Sequence, residues 1–75
     1  MTIFKTYAWQ GYRVIECPSE QQCESQAEIF KDDQKGFKER RLKIELNKNY
    51  EVFRLIGLDG GLKRSSQKPF EKEAL

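Results

Sequence analysis

The sequence predicts a small α/β domain of the α+β kind, in the order β-α-β-β-β-α, with a helix packed on a mixed, mostly antiparallel sheet. Three observations predict it. An amphipathic stretch at residues 20–35 stands among shorter strand-like runs. Pro18 and Ser19 divide the first strand-like run from that stretch, and Asp59-Gly60-Gly61 divides two later runs. The chain has 75 residues, of which 37% are hydrophobic and 35% charged. That is enough for a single domain spanning residues 1–75. The core must be thin, because a chain this short buries only about 60% of its unfolded surface. Five Phe, three Tyr and one Trp can fill such a core and argue against disorder.

Residues 3–7 alternate loosely, as a short strand or an ordered arm. Trp9 suits the lid of one end of the core, with a partner for its N–H. Gly11 permits a turn. Tyr12-Arg13-Val14-Ile15-Glu16-Cys17 is rich in β-branched and aromatic residues and reads as a strand. Pro18 ends it, since proline donates nothing to a sheet ladder.

Ser19 and Gln22 have capping-box spacing, in which each side chain bonds the other's backbone N–H. Glu20 favours the positive end of the helix dipole. The stripe Cys23, Ala27, Phe30 and Phe37, widened by Ile29, makes residues 20–35 an amphipathic helix. Gly36 then stops it, or the helix runs through to Glu39 at a cost of about 1 kcal/mol for the glycine.

Leu42, Ile44 and Leu46 share one face of the next strand, and Lys43 and Glu45 share the other. Asn47-Lys48-Asn49 is a turn. Residues 50–58 are the most apolar run and read as a central strand covered on both faces. Asp59-Gly60-Gly61 closes a hairpin. Residues 62–66 return as an edge strand guarded by Lys63 and Arg64. Pro69 fits the first position of a short second helix, with Phe70 and Ala74 toward the core. The first two main strands flank a helix and should be parallel. The second and third either form a hairpin or step over a neighbour.

Fourteen basic and twelve acidic residues give a net charge of +2, with the signs interleaved. A nucleic-acid module usually carries a stronger basic bias on one face. No histidine is present, which removes the commonest general base and metal ligand. No metal or cofactor is expected. No run approaches the ~18 apolar residues of a membrane span, and residues 1–17 lack a secretory pattern. These features lead us to expect a soluble cytoplasmic protein with reduced cysteines. The thin core suggests a protein partner or self-association.

Leu55-Ile56-Gly57-Leu58-Asp59-Gly60-Gly61-Leu62-Lys63 resembles the hallmark of a bacterial family of unknown function with a thioredoxin-like fold. Trp9 before Arg13-Val14-Ile15, the run from Phe37 to Leu42, and Gln67-Lys68-Pro69-Phe70 are similar to other parts of that family. The likeness spans residues 9–75. It implies a thioredoxin-like domain whose first strand leads into its first helix. The family usually has a longer link between the second and third strands and a tail beyond the final helix. This chain stops before that tail.

Three motifs could carry chemistry. Cys17 and Cys23 lie where thioredoxin-like folds place redox cysteines, and a helix N-terminus stabilises a thiolate. In that reading Cys17 attacks and Cys23 resolves. Their spacing exceeds that of a redox pair, and Glu16, Glu20 and Glu24 would raise a thiol pKa. The plain alternative is two inert buried thiols. A structural disulfide is a third possibility, if the α-carbons lie within ~7 Å. Second, Asp59, Gly60 and Gly61 with Lys63 and Arg64 could cradle an anion, or simply form a tight hairpin. Third, Arg40, Arg41, Lys43, Lys48, Tyr50 and Arg54 interleave cations with an aromatic, as single-strand binders do, but acids intervene. The expected function is a non-enzymatic binding or assembly module. The alternatives are a thiol-disulfide or peroxide-handling protein, then a nucleic-acid-binding module.

Overall fold

The computed structural model describes residues 11–75. The expectations for residues 3–7 and Trp9 lie outside the described residues. Four strands form one mixed sheet in the order β2-β1-β3-β4: β1 Arg13–Cys17, β2 Leu42–Leu46, β3 Phe53–Ile56 and β4 Leu62–Ser66. β1 runs parallel to β2 and antiparallel to β3, and β3 runs antiparallel to β4. Helices α1 Glu20–Ile29 and α2 Gln34–Glu39 connect β1 to β2, and a 3-10 turn Lys72–Ala74 lies near the end.

The expected single helix over residues 20–35 is two helices. α1 stops at its C-cap Phe30, and α2 begins after Asp33. The Asp33 carboxylate accepts the Gly36 N–H at 2.9 Å and so caps the new helix. Aspartate competes poorly inside a helix and well at such a cap. Gly36 therefore sits within α2 rather than ending α1. A side chain there would run into the Asp33 carboxylate and lie 2.7 Å from the Arg40 guanidinium. The capping box forms by half. Gln22 N–H donates to Ser19 Oγ at 3.2 Å, while the Ser19 hydroxyl meets Gln22 Oε1 at 3.3 Å.

β3 neither pairs with β2 nor spans residues 50–58. It steps across β1, and residues 47–52 make that crossing. Tyr50 thus leaves the strand, and Leu58 joins the tight turn. β2 and β4 have the expected bounds, Leu42–Leu46 from its alternation and Leu62–Ser66 as the return after the turn. Pro69 starts no helix. The buried Gln26 donates to the Phe70 carbonyl at 2.9 Å and accepts the Phe70 N–H at 2.8 Å. With that carbonyl engaged, the Ala74 N–H bonds Glu71 instead, at 3.0 Å, and only a 3-10 turn forms.

The core lies between the sheet and its helical layer. Ile15, Cys17, Phe30, Leu42, Phe53, Leu55 and Phe70 form it. Phe30 and Phe37 meet edge to face at 5.2 Å. The helix stripe is rotated from the expected one: Gln26 is fully buried and Ala27 is exposed. Val14, Glu16 and Ile56 are buried on the opposite face of the sheet, so β1 and β3 are covered on both sides.

Candidate functional site

β1 and β2 deliver their carboxyl ends side by side, with Cys17 opposite Leu46. Ligand sites of open α/β sheets favour this place. Here β1 ends at Cys17, the chain turns through Pro18 and Ser19, and α1 brings Cys23 back. Cys17 and Cys23 form a disulfide with their α-carbons 5.2 Å apart. The expectation of reduced thiols is thereby corrected, and the pair takes the form of the third possibility, a bridge. The tight strand-to-helix turn brings the two α-carbons within bridging range.

The two sulfurs differ in surroundings. Cys17 is wholly buried and belongs to the core. Its Sγ lies 3.2 Å from the Glu45 carbonyl oxygen. Cys23 is partly exposed and packs against the core from α1. Of the two, Cys23 is the more open to an external thiolate, the reverse of the order in which Cys17 attacks first. Cys17 would then leave as a thiolate in a desolvated place beside a carbonyl dipole. Both conditions oppose charge on sulfur and slow its departure. Glu20, three residues before Cys23 on α1, and Glu24, next to it, are exposed, and their negative charge disfavours an incoming anionic thiol.

A polar network lies beside this junction on the opposite face of the sheet. Buried Glu16 accepts Arg54 Nη1 at 2.9 Å and Asn47 Nδ2 at 3.0 Å. The Arg54 guanidinium also lies 3.8 Å from the centre of the Tyr50 ring. Sequence reasoning did not find this set. The available signal was Glu16 among apolar residues in a strand, which calls for a partner.

The diglycine turn is folded around its own carboxylate. Gly60 N–H bonds the Gly57 carbonyl at 3.0 Å, and Gly61 N–H bonds Asp59 Oδ1 at 2.9 Å. Lys63 Nζ meets the other Asp59 oxygen at 3.0 Å. The Gly61 amide, followed by Lys63, holds the Asp59 carboxyl below its ordinary value of 3.8. An anion from outside would have to displace Asp59. Gly60 has φ +83°, as a glycine here permits. Beside the turn, a groove of about 520 Å³ is lined by Arg13, Leu55, Leu58, Lys63, Arg64 and Ala74.

The expected basic-aromatic set is not brought to one surface. Arg40 bonds the Gly36 carbonyl and neighbours Asp33. Arg54 is committed to Glu16 and Tyr50. Lys43 and Lys48 are exposed on separate elements. Among the described residues no cluster of three or more metal-ligating side chains occurs, and no helix is long and apolar enough to cross a membrane. No family model matches the chain, and no curated protein or solved structure matches it significantly.

Proposed function

We propose that this chain is a non-enzymatic binding or assembly module, thioredoxin-like in its chain path, in which the Cys17–Cys23 bridge is a structural staple. The complete burial of Cys17 carries this reading. A redox catalyst needs a leaving thiolate that water and neighbouring donors stabilise. Here one sulfur sits in the core, and the other belongs to a helix that carries Glu20 and Glu24 nearby in sequence. The sheet topology agrees with a thioredoxin-like path, since a parallel β1–β2 pair continues into an antiparallel β3–β4 hairpin.

One observation favours thiol exchange as a second reading: the bridge lies at the strand-to-helix junction, with Cys23 partly exposed. A turnover assay separates the two. The chain is mixed with a disulfide-bonded protein substrate and dithiothreitol, and reduction of the substrate is followed by turbidity. The module reading expects the uncatalysed rate at every protein concentration. A rate rising in proportion to the chain, and lost in Cys23→Ser, overturns it in favour of thiol exchange.

A further inference from the structure

The two edge strands of the described sheet, β2 and β4, differ in sequence. β4 exposes Lys63 and Arg64 side by side, and its pairing with β3 carries a register shift. Adjacent charge and irregularity discourage another strand from pairing there. In β2 the charges do not adjoin: Lys43 and Glu45 are of opposite sign and Ile44 separates them, and its pairing with β1 has no register shift. Its sequence, Leu42-Lys43-Ile44-Glu45-Leu46, is balanced about Ile44: leucine outermost on both sides, and opposite charges next to the centre.

The backbone of β2 has a matching parity. Arg13 N–H bonds the Arg41 carbonyl, and Asn47 N–H bonds the Cys17 carbonyl at 2.9 Å. Successive residues of a strand direct their N–H and C=O groups to opposite sides. Residues 41, 43, 45 and 47 thus address β1. Leu42, Ile44 and Leu46 address the outer edge of the described sheet.

We propose that β2 pairs antiparallel with β2 of a second copy of this chain, about a two-fold axis at Ile44. Ile44 then exchanges both backbone bonds with the partner's Ile44, and Leu42 does so with the partner's Leu46. Lys43 falls opposite the partner's Glu45, in the non-hydrogen-bonded position where α-carbons approach to about 4.5 Å. Leu46, which is 39% exposed here, gains an apolar neighbour. The nearest symmetric registers that keep the outward groups aligned fail on charge. One sets Lys43 against the partner's Lys43, and the other sets Glu45 against the partner's Glu45, and like charges directly opposite destabilise a sheet. Glu45 also interacts within its own chain, and a carboxylate has acceptor sites for more than one donor. The same operation on β4, centred on Arg64, would oppose two arginines.

This pairing deepens the assembly-module reading by naming the partner, yet it uses no property of the disulfide. Sedimentation velocity of the whole chain across a wide concentration range tests it. A dimer is expected for the unaltered sequence. Lys43→Glu and Glu45→Lys should each weaken it at least about tenfold, because both cross-strand pairs become repulsive. An equimolar mixture of the two variants should recover a dimer, since each then supplies what the other lacks. The double exchange Lys43→Glu/Glu45→Lys should dimerise alone. Hydrogen exchange on the unaltered chain gives a readout free of folding effects: the Leu42, Ile44 and Leu46 amides should slow as concentration rises. A monomer at every concentration, a dimer indifferent to both reversals, a mixture that stays monomeric, or concentration-independent exchange would overturn the interface. Each of these leaves the turnover assay on the bridge to stand or fall separately.

Discussion

The side-chain amide of Gln26 meets both backbone groups of Phe70 from a position with no solvent exposure. Sequence periodicity gave that place to Ala27, because a hydropathy stripe treats glutamine as a surface residue. What fills the site is a polar side chain whose donor and acceptor match one peptide unit. Gln26→Ala would leave the Phe70 N–H and C=O without those partners in the interior. Each unsatisfied buried group costs about 1–3 kcal/mol, so a loss of about 2–6 kcal/mol is expected in urea unfolding. A loss below about 0.5 kcal/mol, the range of ordinary surface changes, would show that the clasp is dispensable. Arg13, the first residue of β1, makes a comparable contact to backbone. Its Nε and Nη2 both donate to the Arg40 carbonyl, at 3.1 and 3.0 Å. The chain then continues through Arg41 at φ +54°. Neither contact was legible, because each joins residues distant in sequence through a backbone carbonyl.

Among the elements, the strands were easier to read than the helices. β2 follows its alternation directly, and β4 follows the turn signal before it. β3 shortened because residues 50–52 are needed to carry the chain across β1, and no local pattern encodes that detour. The helical stretch divided because Asp33 binds the Gly36 amide, a cap hidden inside an otherwise periodic run. The diglycine turn was recognised as a turn, but its carboxylate was not assigned to its own amides. That assignment has a consequence with pH. Asp59 has its pKa lowered in the folded chain by the Gly61 amide and then by Lys63. Its contribution to the hairpin is therefore present above the ordinary value of 3.8 and is lost as pH falls through the lower folded value. An NMR titration should show the Gly61 amide resonance moving with an apparent pKa below 3.8, and Asp59→Asn should abolish that step. A midpoint at or above 3.8 would contradict the contact.

At the scale of the whole molecule, few residues hold the fold together. The core cluster draws on both helical and sheet layers, and Cys17 is part of it. The cysteine pair was legible as a candidate and the bridge as one option. Which sulfur is buried depended on the orientation of β1 in the sheet, which the sequence alone leaves open. Closing a short loop constrains the unfolded chain, and a bridge with sequence separation 6 should stabilise the fold by about 2 kcal/mol. A domain of this size has little stability to spare, so a staple of that strength is significant. The most direct test compares the urea unfolding free energy of the oxidised chain with that of the same chain held reduced. We predict that the reduced form still folds but is less stable by about 2 kcal/mol. Equal stability of the two forms would contradict a structural role for the bridge.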